Sequence, residues 1–222
     1  MLFQRRSRPV IGLDITTSSI KLIELSRSGD GYRVESYAAE PSPPNAINEK
    51  AIVDAQAVGE GVRRAVKRAG ARSKECAVAI SGDAAITKII QMPRNLREAE
   101  LESQVEMQAD QYIPFPMEEV SFDFEVVGPS EKDPEMLDVL LVATRSENVE
   151  QRQASVQSAG LAARIVDVEA FALENACRLL THQMPDGGMD RNIAVIDFGA
   201  SSTTFSVLRD LKLTYTRDLA FG

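Results

Sequence analysis

A segment that occurs twice constrains this chain more than any other feature. Near the start it reads Ile11-Gly-Leu-Asp14-Ile-Thr-Thr-Ser18-Ser19-Ile-Lys21-Leu-Ile-Glu-Leu25. Near the end it reads Ala194-Val-Ile-Asp197-Phe-Gly-Ala-Ser201-Ser202-Thr203-Thr-Phe-Ser-Val-Leu208. Each copy is an apolar run, an Asp, a short turn of small hydroxyl residues and a second alternating run, the pattern of a β-hairpin. Turns of this kind expose backbone N–H groups and hydroxyls, the donors a phosphate chain needs. The Asp cannot bind phosphate, but it can hold a hydrated Mg²⁺ beside it, because that ion keeps several waters and takes few carboxylates. One such hairpin would be an ordinary turn. Two with matched Asp and Ser-Ser residues imply a duplicated β-rich domain whose halves face each other and grip one nucleoside triphosphate.

Composition narrows the classes. With 44% hydrophobic residues in 222, the chain has the makings of a packed core, as one large domain or two small ones. The balance of 25 basic to 33 acidic residues and a pI near 4.9 argue against broad nucleic-acid binding, which needs a basic footprint. Cys76 and Cys177 are isolated in apolar contexts and read as buried free thiols, which suits a reducing compartment. A single histidine, His182, argues against a His-based metal site or dyad. No apolar run is long enough to span a membrane. The start, Met1 to Pro9, carries Arg5, Arg6 and Arg8 without the apolar stretch of a signal peptide. It reads as a frayed tail or as a membrane-surface contact through Leu2, Phe3 and the arginines.

Along the chain, Val10–Asp14 and Ile20–Leu25 form the first expected hairpin. Ser28-Gly-Asp-Gly31 marks a turn and Tyr32–Ala38 a third strand. A helix is expected from Asn48 to Ala71, with Ile47, Ala51, Ile52, Ala55, Val58, Val62 and Ala65 on its apolar stripe. Gly59 and Gly61 cost that helix about 1 kcal/mol each relative to Ala. Strands are expected at Cys76–Ser81 and Ile86–Met92. An acidic helix then runs through Tyr112, packed by Ala99, Leu101, Val105, Met107 and Ala109 and stopped by Pro114. Strands at Ser121–Val127 and Met136–Thr144, a helix at Ser146–Ala159, a strand at Ala163–Val168 and a helix at Glu169–Leu180 follow. The second hairpin and a strand at Lys212–Arg217 close the pattern. No GxxxxGK[ST] loop and no GxGxxG after a strand is present, so neither supplies the phosphate site. Asp197-Phe-Gly lacks the Gly-rich loop and His-Arg-Asp segment a protein kinase requires.

These residues match a known family. The two hairpins resemble the first and second phosphate loops of the actin, sugar-kinase and heat-shock-chaperone ATPases. Ala79-Ile-Ser-Gly82, Thr87-Lys-Ile-Ile-Gln-Met92-Pro93, Gln108-Ala-Asp-Gln-Tyr112-Ile-Pro114-Phe-Pro116 and Asp167-Val-Glu169-Ala narrow the likeness to the PilM family, the FtsA-like, actin-like proteins of type IV pilus assembly. The resemblance covers Val10 to Gly222. It implies an α/β, actin-like ATPase (ribonuclease H-like) fold. Subdomain 1A would comprise 8–74 and 163–190, an FtsA-type 1C insert 75–162, and the start of 2A 191–222. The rest of 2A and all of 2B would lie beyond, leaving the second half truncated with an exposed sheet edge.

The resemblance also implies ATP with Mg²⁺. Asp14, Thr16, Thr17, Ser18, Ser19 and Lys21 would form the first phosphate loop, and Asp197, Gly199, Ala200, Ser201, Ser202 and Thr203 the second. Asp14 and Asp197 would face the metal through water. Lys21 would be a counter-charge or a solvated lysine, and Glu169 would orient a water or simply favour its helix dipole. Thr16 stands where relatives usually carry Gly. The implied role is a cytoplasmic scaffold, peripheral at the inner membrane, for type IV pilus assembly and twitching motility, and at most a slow ATPase. Its partner would be the N-terminal cytoplasmic tail of PilN, docked between 1A and 1C, with other pilus assembly and motor proteins and self-association in a homo-oligomer or ring. The alternatives are an FtsA-like cell-division filament protein and a small-molecule kinase of the same superfamily. The kinase would need a cleft carboxylate as base, and no isolated Asp stands out for it.

Overall fold

The computed structural model describes residues 9–29 and 31–222. Leu2, Phe3, the N-terminal arginines and Asp30 of the first turn lie outside the described residues. In chain order the strands and helices are β1 (Ile11–Ile15), β2 (Ser19–Ser28), β3 (Gly31–Pro41), β4 (Ile47–Asn48), β5 (Ala51–Ile52), α1 (Ala55–Ala69), β6 (Glu75–Ile80) and β7 (Ile86–Pro93). Then come α2 (Glu98–Ala109), β8 (Val120–Pro129), β9 (Met136–Arg145), α3 (Ser146–Ser158), β10 (Ala162–Val168) and α4 (Glu169–Arg178). β11 (Asn192–Phe198), β12 (Thr203–Arg209) and β13 (Lys212–Leu219) complete the chain. These elements divide into two compact units, one running up to Gly82 together with Glu150–Gly222, the other Asp83–Val149.

The first unit holds a five-stranded sheet in the order β10-β6-β1-β2-β3, with β6 parallel to both β1 and β10 and the rest antiparallel. Alternation decides its faces. Ile11, Leu13 and Ile15 of β1 turn inward with Ile20 and Leu22 of β2, and Gly12 and Asp14 turn outward. Cys76 and Val78 of β6 join the same core. The strand Glu75–Ile80, expected in the insert, is therefore part of this sheet. Helix α1 buries Val58, Val62 and Ala65 completely against it, each Val contributing roughly 1.5–3 kcal/mol relative to exposure. Asp54 caps α1 by accepting the Ala57 N–H at 2.9 Å, and Gly70 ends it in the left-handed region at φ 64°.

The two glycines of α1 have a packing reason. A Cβ at Gly59 would run into Ser158 Oγ and lie 2.5 Å from the Ser155 carbonyl oxygen, and one at Gly61 would lie 2.5 Å from Ile20 Cδ1. The helix is thus pressed onto α3 on one side and β2 on the other.

The expected helix start at Asn48 is wrong. Ile47-Asn48 and Ala51-Ile52 form a miniature hairpin instead, with Glu49 and Lys50 at its tip in left-handed conformation (φ 44° and 69°), and α1 begins at Ala55. Positive φ at both central positions is what a tight hairpin turn demands, and neither residue has the glycine freedom that would make it cheap. Ile47 and Ile52 still reach the core, from strands rather than from a helix.

Also in the first unit, β11-β12-β13 form an antiparallel meander. Helix α4 is tied to it by Glu174, whose Oε2 accepts the Leu213 N–H at 2.8 Å. The second unit is an antiparallel sheet in the order β7-β9-β8, with Ile90, Met92, Val139, Leu141 and Ala143 packed under Leu101, Val105 and Ala109 of α2. Ala99 and Met107, expected in that packing face, are exposed. α2 stops at Ala109 rather than Tyr112, because Pro114 disfavours helical backbone at Ile113. Phe115 there carries the Arg145 guanidinium 4.3 Å from its ring centre.

Candidate functional site

The two repeated segments fold as two hairpins of the same register. Asp14 pairs with Lys21 and Ile15 with Ile20; Asp197 pairs with Thr204 and Phe198 with Thr203. One constant offset in residue number maps every pair of the first hairpin onto one of the second. The tips close alike, by Thr16 N–H to the Ser19 carbonyl and Gly199 N–H to the Ser202 carbonyl, both 3.0 Å. Neither tip uses a residue of positive φ. Thr16 is therefore unstrained in its place. Its hydroxyl donates to the Ser19 carbonyl at 2.9 Å and accepts the Ser19 N–H at 3.2 Å. Ser42 fastens the same tip from outside, its hydroxyl donating to the Thr16 carbonyl at 2.6 Å and its N–H to the Ser18 carbonyl at 3.1 Å.

The tips meet. Thr17 Oγ1 and Ser201 Oγ lie 3.0 Å apart. Behind them Lys21 Nζ bonds Asp14 Oδ2 at 2.8 Å, both side chains about half exposed. That hydrogen bond, with the charges of Asp14 and Asp197, holds the Lys21 ammonium above its ordinary value. Asp14 and Asp197 thus act on one cation. Ser18, Asp197, Gly199, Ala200 and Ser201 are exposed, while Thr203 is buried and spends its hydroxyl on the Phe221 carbonyl at 2.9 Å. Gly222 lies against the second tip; a Cβ there would sit 2.7 Å from Ser201 N.

A second charged layer sits below the tips, and no local sequence motif announces it. Lys50 Nζ is 3.0 Å from Asp218 Oδ1 on β13 and 3.6 Å from Glu169 Oε2 at the start of α4. Asp218 also accepts the Thr204 hydroxyl. Arg152 is buried, with Nη2 donating to the Lys50 carbonyl at 3.1 Å and Nη1 to the Ile15 carbonyl at 3.5 Å. Burial lowers its pKa, against the pull of Glu169 and Asp14. Burial likewise raises Glu169, with Lys50 and Arg152 opposing. Lys50, Arg152 and Asp218 come from three distant segments, and no local motif marks them. Among the described residues no group of three His, Cys, Asp or Glu side chains could ligate a metal directly. A metal between the tips would have to rest on few carboxylates and its own waters, the habit of Mg²⁺.

A family model described as type IV pilus assembly protein PilM matches residues 12–222. The chain belongs to the PilM family. A solved PilM–PilN type IV pilus biogenesis complex contains a chain of TM-score 0.80 and 30% identity, matched over 97% of this chain. This chain spans 62% of that one's length. The cytoplasmic domain of EpsL, an inner-membrane component of the Vibrio cholerae type II secretion system, matches at TM-score 0.55 and 11% identity, over 96% of this chain and 71% of that one. The ethanolamine utilization protein EutJ of Carboxydothermus hydrogenoformans matches at 0.52 and 16%, over 97% and 53%. The fold is the actin-like ATPase fold. No described helix is long and apolar enough to cross a membrane.

Proposed function

We propose that this PilM protein is a nucleotide-binding scaffold of type IV pilus assembly, in which Mg·ATP between the two hairpin tips sets the protein's affinity for the cytoplasmic tail of a PilN partner. The supporting observation is the Thr17–Ser201 contact between two hairpins of equal register. It gathers hydroxyl and backbone donors from both repeats at one point, with Lys21 and two exposed Asp residues alongside. The donor set fits a triphosphate with a hydrated divalent cation. Thr17, Ser18, Ser19, Ser201 and Ser202 would hold phosphate oxygens together with the tip N–H groups of Ala200 and Ser201. Asp14 and Asp197 would hold the cation through its waters, and Lys21 would offset phosphate charge. Bound nucleotide supplies contacts to both tips at once, so it favours one spacing of the hairpins over others.

For a phosphate to enter between the tips, the Thr17–Ser201 bond must open. Nucleotide therefore exchanges one weak contact for several. In this reading hydrolysis is slow, since Glu169, the carboxylate nearest in role to a water-orienting group, is already paired with Lys50. The test is binding of a PilN N-terminal peptide to the full-length protein with and without Mg·ATP. A change of several-fold in affinity is expected, and equal affinity in the two states would contradict the coupling.

A further inference from the structure

Among the described residues, two polar connections run between the hairpin of the first repeat and the sheet of the second. One is the contact between the tips. The other is Lys50. Its carbonyl is held by Arg152, whose second nitrogen holds the Ile15 carbonyl just before the first tip. Its ammonium reaches Asp218 of β13 and Glu169 of α4. Asp218 in turn takes the Thr204 hydroxyl, and Thr204 is the ladder partner of Asp197. A continuous chain of polar contacts thus runs from the root of the first tip to the root of the second.

We propose that Lys50 is a positioning residue, a strut that fixes the spacing of the two hairpin tips through its ion pairs with Asp218 and Glu169. Three observations carry this. The side chain is only 17% exposed and Asp218 only 13%, so water screens the pair weakly. Lys50 stands at a φ of 69° beside Glu49 at 44°, a costly backbone state for two such residues, and the left-handed turn is what projects the ammonium across to the second sheet. Arg152 is a buried cation whose two bonds go to the carbonyls of Lys50 and Ile15, so the base of the strut and the base of the first tip move together. Removing the Lys50 charge leaves two partly buried carboxylates facing each other, and their repulsion drives the sheets apart. The strut needs no nucleotide; only its consequence for nucleotide affinity rests on the function proposed above.

Cross-linking reads the spacing directly. Cysteines replacing Thr17 and Ser201, whose hydroxyl oxygens are 3.0 Å apart, are expected to form a disulfide readily in otherwise wild-type full-length protein without nucleotide. Both native cysteines are buried and do not compete. Lys50→Met, which keeps the aliphatic stem, should slow closure about tenfold, and Lys50→Arg should restore it. Asp218→Asn, which leaves Lys50 its Glu169 partner, should slow closure by less and serves as the reporter if Lys50→Met does not fold. Equal closure rates in wild type, Lys50→Met and Asp218→Asn would overturn the strut. Mg·ATP binding, measured separately by calorimetry, distinguishes the two ideas. Slowed closure without ATP binding in the wild type sinks the nucleotide reading and leaves the strut. ATP binding with unaltered closure does the reverse.

Discussion

Cys76 is fully buried in the five-stranded sheet, with its Sγ 3.5 Å from the Ala162 carbonyl. Burial alone pushes its thiol up to about 11, from an ordinary 9.0. The folded state therefore favours the neutral thiol. That stabilisation is complete below pH 9.0 and is lost as pH rises through about 11. At pH 8 the native thiol should resist alkylation, and iodoacetamide labelling followed by mass spectrometry should find Cys76 modified only after denaturation. Glu169 follows the same sign, again chiefly through burial. Burial raises it above its ordinary 4.5, so its contribution is present below 4.5 and declines as pH rises through the raised value. Glu169→Gln should melt progressively higher than wild type as pH is raised from 4 to 7. A constant offset across that range would mean the carboxylate does not titrate as its surroundings require. Gly59 is the third residue whose environment dictates an outcome. Gly59→Val should destabilise by about 1–3 kcal/mol, the usual penalty for overpacking, visible as a lower denaturation midpoint with an unchanged slope. The sequence shows the helical cost of this glycine. It does not show Ser155 and Ser158, which come from a helix far along the chain.

At the scale of elements, the hairpins were legible because their information is local. Apolar alternation, an Asp and a hydroxyl turn lie within fifteen residues, and the ladders follow. The segment Ile47–Ile52 was not, because its apolar residues fall at spacings a helix would also produce, and the left-handed pair Glu49-Lys50 carries no glycine or Asn-Gly signal. Misreading that hairpin as helix hid Lys50, Arg152 and Asp218 together, since all three depend on where its tip points. Thr16 shows the opposite case. A Thr where the resemblance implies Gly reads as a constrained tip, yet its hydroxyl closes the turn and its φ is not positive. The true start of α1 can be checked through its cap. Asp54→Ala should cost about 1 kcal/mol by removing the acceptor of the Ala57 N–H, measured by chemical denaturation. Asp54 would be an interior residue of a helix beginning at Asn48, and no such cost would then arise.

At the scale of the whole molecule, a duplicated architecture becomes a binding device only if its copies converge. Their convergence on Lys21, which feels both Asp14 and Asp197, and at Thr17 and Ser201 makes the two repeats one candidate site. The chain belongs to the PilM family, and the nucleotide between its tips is what a measurement must test. The most direct measurement is calorimetric titration of the full-length protein with Mg·ATP, beside Asp14→Asn and Asp197→Asn. Saturable one-to-one binding is expected in the wild type, with a loss of about tenfold or more in each variant. Wild-type binding that both substitutions leave unchanged, or no binding at all, would contradict it.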